Sequence, residues 1–412
     1  MKVFPLKNGE TFTGPSLFLN PQHPLDARAI LTATTRAPGL PNIDGIVIDI
    51  VDYRDVSDNL GLDQGLLAEP SRTDARNKIR LIDPALHHLL SGTSEKKEAM
   101  LAMKLFDKRI QEPIKKLAEV PKKERTRKII DEVYPYLIVK PLIEFEMRKG
   151  ASAIIAPSVN ISSGKHFTRQ VAQANKMLTD TRTLLETSSL KSYGETRDLI
   201  NVLTIAARLL EPQNFATLFR LALCNKPDQV GFRFLGIKES DTVTVRKMFT
   251  FLRTFAVQSM DDLDRREPIP IHLFNVDELG YAGYCSAVCN IVSPVATSPY
   301  YHYPSKDDGE DDIDTSPTFY NPIEMNQPKA HSVSRLPCTC RWCSSYVYMA
   351  SVPKKFLPMF RRLHWLDCKD EEIRQFRETP ARIDIALRDK FAQSMRTQLA
   401  AYIPEEPIFA VY

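Results

Sequence analysis

Three cysteines lie close together in the stretch CTCRWC, at Cys338, Cys340 and Cys343. Zinc is held tetrahedrally by sulfur and nitrogen ligands in proteins, and closely spaced cysteines on a turn supply several of them with little chain entropy to lose. The chain has 7 cysteines, and an odd number argues against a framework of disulfide bonds. The clustering therefore predicts a bound zinc ion.

Two residues in the downstream stretch RRLHWLDC could supply the fourth ligand. His364 and Cys368 lie about one turn apart on a helix-like segment, so either side chain can face the cysteines. Imidazole nitrogen and thiolate sulfur both suit zinc. Four protein ligands leave zinc no open position, so we expect the ion to stabilise the fold and to take no part in a reaction.

A basic segment between residues 104 and 128 could contact the phosphate groups of a nucleic acid, because such contacts need clustered cations. A solvated helix face explains the same pattern equally well. The cations of this segment are Lys104, Lys108, Arg109, Lys115, Lys116, Lys122, Lys123, Arg125, Arg127 and Lys128.

The composition is that of an ordinary globular protein. The 412 residues are 43% hydrophobic and 26% charged, with a formal net charge of +4, and a chain of this size can bury a substantial core. No apolar run approaches the roughly 20 residues of a membrane span, and the first residues lack the apolar stretch of a secretory signal. We therefore expect a soluble, cytoplasmic protein.

Short apolar runs alternate along the chain with longer amphipathic segments. Continuous apolar runs of this length suit strands that are covered on both faces, as in parallel sheets. The predicted strands are Gly45–Ile50, Ala151–Pro157, Asn201–Ile205, Val230–Leu235, Pro270–Phe274 and Asn290–Pro294. The predicted helices between and around them are Phe167–Leu185, Asn214–Leu223 and Thr242–Phe255.

This alternation of strands and helices predicts an α/β fold. The number of units and the chain length favour a TIM-type (β/α)8 barrel over a Rossmann sheet, and no GxGxxG motif follows a predicted strand. We assign residues 1–303 to the barrel, with a helical insertion near 84–149. Residues 304–329 are predicted to form a flexible acidic loop, and residues 330–412 a zinc-binding subdomain with C-terminal helices, one of them near Pro380–Ala401.

The CxCxxC motif and the histidine that follows it, placed after the last predicted strand of a barrel, resemble the tRNA-guanine transglycosylase family. Other stretches come in an order similar to the family's, namely GIVIDIVD at 45–52, SAIIAPSVN at 152–160, VGFRFLG at 230–236, HLF at 272–274 and CNIVSP at 289–294. The resemblance favours His364 as the fourth zinc ligand. It also implies exchange of guanine for a 7-deazaguanine base in tRNA, or in DNA as in the DNA-modifying branch of the family.

Base exchange of this kind needs two carboxylates that face one pocket at the carboxyl ends of barrel strands. One attacks the anomeric carbon of the ribose and forms a covalent intermediate, while the other handles a proton. The resemblance places Asp49 at one active-site aspartate, and it places Asn290 where the family carries the nucleophile. Because Asn290 is an amide, Asp277 is a candidate for a displaced carboxylate, although a helix N-terminus would also favour that residue.

Three residues are candidates for binding the base. Asn160 stands where the family reads the base with an aspartate, and Gly236 follows the strand whose glycine lies against the base. Gln213 could add a further hydrogen bond. The aromatic cluster Tyr300–Tyr303 could stack on bases at the rim of the pocket. The partners implied by the resemblance are a nucleic acid, the free base, and a second copy or a partner subunit.

The amide at Asn290 supports a second hypothesis beside the enzyme. In this hypothesis the barrel has lost catalysis and serves as a nucleic-acid-binding or partner subunit with an intact zinc site. A pocket with two converging carboxylates favours the enzyme, and a pocket without them favours the binding protein.

Overall fold

The computed structural model describes residues 2–14, 16–21, 24–49, 78–84, 136–162, 164–187, 189–237, 241–274, 289–294, 319–322, 330–336 and 338–378. The basic segment at 104–128, the tyrosine cluster at 300–303, most of the predicted acidic loop and the predicted helix near residues 380–401 lie outside these residues. Among the helices that the structure describes, none combines the length and the apolar character needed to cross a bilayer.

The described strands and helices alternate through most of the chain. The strands are β1 (Lys2–Pro5), β2 (Thr11–Gly14), β3 (Leu17–Asn20), β4 (Gly45–Asp49), β5 (Ile79–Asp83), β6 (Ala153–Ala156), β7 (Asn160–Ile161), β8 (Asp198–Ala206), β9 (Gln229–Leu235), β10 (Ile271–Phe274) and β11 (Cys289–Pro294). The α-helices are α1 (Pro24–Thr35), α2 (Tyr136–Arg148), α3 (Phe167–Thr187), α4 (Lys191–Thr196), α5 (Pro212–Ala222), α6 (Thr242–Leu263) and α7 (Leu357–Glu378).

The larger sheet is parallel, and its strands lie in the order β5-β4-β3-β11-β10-β9-β8-β6, with β7 also paired to β8. β11 comes last of these strands in the sequence, yet it pairs with β3, the first of them. The two strands at the ends of this order also meet, because Ser152 N, just before β6, donates to Arg80 O of β5 at 2.7 Å. The predicted mixed α/β fold with a parallel sheet is confirmed.

Both faces of this sheet are buried, which explains the continuous apolar runs of its strands. Successive residues of a strand point to opposite faces, and Phe18 lies in a different apolar cluster from its neighbours Leu17 and Leu19. The smaller, inner cluster also contains Val47, Leu81, Ile155, Val202 and Phe274. The larger cluster joins the other face of the strands to the helices.

Two glycines allow the strands of the inner cluster to pack closely. A Cβ atom on Gly45 would lie 2.4 Å from Ile79 O and 2.7 Å from the Phe18 ring. A Cβ atom on Gly231 would lie 2.6 Å from the Phe274 ring. No side chain fits at such distances, so both positions require glycine.

The β1–β2 hairpin packs against the amino end of the sheet. Phe12 of β2 lies in the inner cluster, with its ring centroid 6.1 Å from that of Phe18. In the turn of the hairpin, Lys7 N donates to Asp198 Oδ1 at 3.0 Å, and Asp198 is the first residue of β8. The Lys7 ammonium also pairs with Asp228, at 2.6 Å, just before β9. The hairpin therefore covers the amino end of the inner cluster.

Glu146 of α2 is buried beside the end strand β6. Its Oε2 accepts a hydrogen bond from Ile155 N at 2.9 Å, while its Oε1 is buried without a hydrogen-bond partner among the described residues. Burial raises the pKa of Glu146 well above its usual range, the bond from Ile155 N partly opposes this, and the charge of Asp83 adds to it. Burial therefore favours the neutral form of this carboxyl group.

Replacing Glu146 by glutamine is expected to stabilise the protein increasingly as the pH rises. The folded chain keeps a proton on Glu146 above about pH 4.3, where the unfolded chain releases it, so the stability of the wild type falls through this range. Glutamine can still accept from Ile155 N and does not ionise. The gain in melting temperature should therefore widen as the pH rises above about 4.3, the pKa of the unfolded chain. Glu144→Gln on the same helix is the control, and a gain independent of pH would contradict the prediction.

Candidate functional site

Cys338, Cys340, Cys343 and His364 form one compact cluster, in which the four donor atoms lie within 4.8 Å of one another. His364 Nδ1 is 3.4 Å from the sulfurs of Cys338 and Cys340 and 3.3 Å from that of Cys343. Tetrahedral zinc, with bonds of about 2.3 Å to sulfur and 2.0 Å to nitrogen, would hold these atoms roughly 3.5 Å apart. The cluster could therefore hold a metal ion such as zinc with little rearrangement.

A short β-like turn positions the three cysteines. Leu336 N donates to Val347 O and Met349 N to Ser334 O, both at 3.1 Å, so the chain returns along itself on either side of the cysteines. Inside this turn, Cys343 N lies 3.4 Å from Cys340 Sγ and donates to it. An amide donor stabilises a thiolate, so this hydrogen bond favours the thiolate form of Cys340, the form that binds a metal.

His364 lies on α7, and contacts with Phe319 and Tyr320 fix its ring. Its Nε2 lies 2.7 Å from Tyr320 O, and the Phe319 ring stacks on the imidazole with centroids 4.3 Å apart. A metal-binding histidine usually donates its other ring N–H to a carbonyl or carboxylate, which fixes the ring. Without metal, burial lowers the pKa of His364, but hydrogen bonds to the thiol groups outweigh this effect and raise the pKa to about 9. A metal therefore displaces a proton from this ring.

A buried ion pair between Lys369 and Glu372 fixes the position of Tyr320, whose carbonyl contacts His364. Lys369 Nζ donates to Tyr320 Oη at 3.0 Å and to Glu372 Oε2 at 3.1 Å, and the tyrosine hydroxyl donates to Glu372 Oε1. The three side chains are almost fully buried. The ammonium also lies 4.3 Å from the centroid of the tyrosine ring. This group links residues 319–322 to α7 and so holds the carbonyl that orients His364.

Replacing Glu372 by glutamine is expected to destabilise the protein by about 3 kcal/mol, because it leaves the buried Lys369 ammonium without its counter-charge. Chelator competition should also show faster loss of metal, because Tyr320 and hence His364 are held less firmly. Glu371→Gln is the matched control, since the Glu371 side chain is about half exposed and its ion pair with Arg374 is worth little. Equal unfolding midpoints and release rates for the two variants would exclude this role for Glu372.

The metal cluster is anchored to the first helix of the sheet domain. Arg362 of α7 pairs with Asp26 of α1, and Arg341 donates to Ala33 O at 3.2 Å and Arg36 O at 3.1 Å. The guanidinium carbons of Arg36 and Arg341 both lie near the Trp342 ring, 5.1 and 5.2 Å from its centroid. The cysteine turn and α7 therefore pack on α1 as one unit.

A second set of polar residues lies toward the carboxyl end of the sheet. Asp83, the last residue of β5, forms an ion pair with Arg233 of β9, and Arg233 also donates to Thr204 Oγ1 of β8 at 3.3 Å. Asp83 and Arg233 are 4% and 2% exposed, so this is a charged pair inside the protein. In strand register, Asp83 is the partner of Asp49, and Asn160 is the partner of Thr204.

The predicted site residues fall into different places. Asp49 and Asn160 share this end of the sheet through their registers, and Gly236 directly follows β9 at the same end, with a φ of 76°. Asn290 is only the second residue of β11 and pairs in register with His272 of β10, which pairs with Gly231 of β9. Asn290 therefore lies two residues nearer the amino end of the sheet than Arg233. Gln213 is exposed at the start of α5.

Asp277 and the tyrosine cluster lie outside the described residues. Asp277 therefore stays a prediction. Of the two alternatives for the fourth ligand, His364 belongs to the compact cluster, whereas Cys368 lies beside it with its sulfur 3.6 Å from His364 Nδ1.

Sequence reasoning did not select Asp83 or Arg233. A signal for both was present, because IRLID ends an apolar run on an aspartate and VGFRFL carries an arginine among apolar residues. A buried charge needs a partner of opposite sign. Their separation of 150 residues gave no local reason to pair them.

Comparison with known proteins gives no match, either to a family model or to a curated sequence. The geometry of the two sites and the chemistry of their residues therefore carry the functional argument.

Proposed function

We propose that this chain is a divergent transglycosylase-like (β/α)8 barrel that exchanges guanine for a 7-deazaguanine base in tRNA or DNA. The observation that carries the proposal is the buried Asp83–Arg233 pair, with Asp49 as the register partner of Asp83, toward the carboxyl end of a parallel sheet. Catalytic groups of α/β barrels lie at this end. The cluster of three cysteines and one histidine that follows the last strand supports the same family.

Closure of the sheet into a barrel is supported by the contact between β5 and β9. Five strand spacings separate these strands in the sheet order, which would be roughly 24 Å in a flat sheet at about 4.8 Å per strand. Asp83 and Arg233 nevertheless form an ion pair. The hydrogen bond from Ser152 N to Arg80 O brings the two end strands together, and eight parallel strands in cyclic chain order are the arrangement of a (β/α)8 barrel.

Zinc is the proposed metal, in a structural role. Three thiolates and one imidazole are a donor set that zinc prefers, and all four positions are filled by protein. The ion then holds the cysteine turn on α7, and α7 on α1. No position is left for a substrate or water, so the reaction belongs to the other site.

In the proposed reaction, Asp49 attacks the anomeric carbon of the target nucleoside, the bond to guanine breaks, and the ribose is held as a covalent ester while the departing guanine takes up a proton from solvent. The incoming base then loses its ring N–H proton to solvent, attacks the same carbon and releases the carboxylate. Positive charge develops on the ribose in both steps, and the neighbouring negative charge of Asp83 stabilises it. Arg233 holds Asp83 in place through their ion pair. Asn160 and the exposed backbone at Gly236 would line the site for the base.

The test is incorporation of radiolabelled guanine, or of the 7-deazaguanine base preQ0, into tRNA and into duplex DNA. Asp49→Asn and Asp83→Asn are expected to reduce incorporation by at least about 10³-fold, a loss usual for a group essential to the chemical step. Thr183→Ala is the control, because Thr183 is exposed on α3 and its hydroxyl donates to Thr179 O of its own helix, and it should retain most of the activity. Full activity of Asp49→Asn would refute the role of Asp49 in the reaction, and no incorporation by the wild type into either nucleic acid would refute the enzyme.

A second candidate function is a binding subunit without catalysis, favoured by the amide at Asn290. Nucleic-acid binding without base exchange should then be seen in filter binding, with affinity that falls steeply as salt rises. Binding that is independent of salt would remove nucleic acid as a partner for this function.

A further inference from the structure

A fifth sulfur or nitrogen donor lies beside the cluster of three cysteines and one histidine. Cys368 lies one turn after His364 on α7, is 6% exposed, and has its sulfur 3.6 Å from His364 Nδ1. Cys368 therefore lies beside a cluster whose four donors already suffice for zinc.

The placement of Cys368 differs from that of an ordinary buried cysteine. Residues four apart on a helix lie on the same face, so the face of α7 that carries the fourth ligand carries this thiol as well. Its sulfur lies only slightly farther from His364 Nδ1 than the three cysteine sulfurs, at 3.6 Å against 3.3 to 3.4 Å. In structural sites, zinc accepts four cysteines as readily as three cysteines with one histidine.

We propose that Cys368 is a reserve ligand, which completes a site of four cysteines when the imidazole of His364 is withdrawn. In the exchange, the metal–nitrogen bond breaks and a metal–sulfur bond forms. The Cys368 thiol loses its proton to solvent or to the freed imidazole. No oxidant or reductant is needed, because sulfur keeps its oxidation state.

His364 is the ligand in the resting state because its ring is held in place. Tyr320 O accepts from Nε2 and the Phe319 ring stacks on the imidazole. Both contacts come from residues 319–322, whereas Cys368 depends only on α7. A disturbance of residues 319–322 would therefore release the histidine and leave the reserve thiol in place.

The test uses the full chain loaded with Co²⁺, whose thiolate-to-metal absorption grows with the number of bound thiolates. The wild type and Cys368→Ser should give equal intensity per cobalt, for three thiolates each. His364→Ala should keep one metal per chain and show an intensity higher by about one third, for four thiolates. His364→Ala combined with Cys368→Ser should return to three thiolates and bind cobalt at least about tenfold more weakly.

The proposal requires the histidine variant to fold with metal bound, so failure to fold also counts against it. His364→Gln is a second variant that keeps more side-chain volume. Two outcomes would overturn the proposal. One is a three-thiolate intensity in the variants that fold, and the other is recovery of both variants as metal-free or unfolded protein.

Discussion

Removing the metal with a strong chelator is expected to unfold the cysteine turn and loosen α7, with a loss of at least about 5 kcal/mol of stability. Structural zinc contributes about 10–16 kcal/mol of apparent binding energy in small zinc-finger peptides, and part of it appears as folding energy. Without the ion, three thiols and a histidine remain close together with only hydrogen bonds among them. Cys340→Ser is expected to act in the same direction.

Tryptophan fluorescence is the measurement, because the chain has 2 tryptophans and both lie in this unit, Trp342 beside the cysteines and Trp365 on α7. Both are buried, so release of the metal should shift their emission to longer wavelength. Cys224→Ser is the matched control, since this half-buried thiol lies beside Asn175 and Thr179, away from the cluster. An emission spectrum unchanged by the chelator, with metal loss verified, would contradict the expectation.

Replacing Arg233 by methionine is expected to destabilise the protein by about 3–5 kcal/mol, because it breaks the buried ion pair with Asp83 by removing one member. The double variant Asp83→Leu with Arg233→Met should recover much of this loss, since apolar residues of similar volume often replace a buried ion pair at little cost. The Arg233 guanidinium carbon also lies 5.2 Å from the Phe274 ring centroid, a contact that methionine can partly keep.

Urea denaturation compares the wild type, the single and double variants, and Arg208→Met, an exposed control. The double variant should stay inactive in base exchange although it is stable, because the proposed reaction needs the Asp83 carboxylate. A double variant as unstable as the single one would show that the pair is not the source of the effect.

The sequence predicted strands best where both faces of the sheet are apolar. The runs around Ile154, Val230 and Leu273 are strands, as expected, and the weaker run at Asn201–Ile205 is the centre of a longer strand, β8. β5 was missed because IRLID carries Arg80. The Arg80 guanidinium donates to Lys149 O at 3.0 Å, a partner 69 residues away.

The two sites differ in how far the sequence could predict them. Cys338, Cys340 and Cys343 are local in the chain, so their spacing alone indicated a metal. The choice of His364 over Cys368 depends on Tyr320 and Phe319, which no local pattern connects to α7. The pair of Asp83 and Arg233 depends wholly on the curvature of the sheet, which brings distant strands together.

The β1–β2 hairpin has a kinetic consequence. Because the hairpin covers the amino end of the inner cluster, substrates can reach the proposed active site only from the carboxyl end of the sheet. The departing guanine and the incoming base must then use the same entrance to the active site, so guanine must leave before the incoming base can bind. Steady-state rates measured at several concentrations of both substrates should give parallel lines in double-reciprocal plots, the pattern of a ping-pong mechanism in which the first product leaves before the second substrate binds.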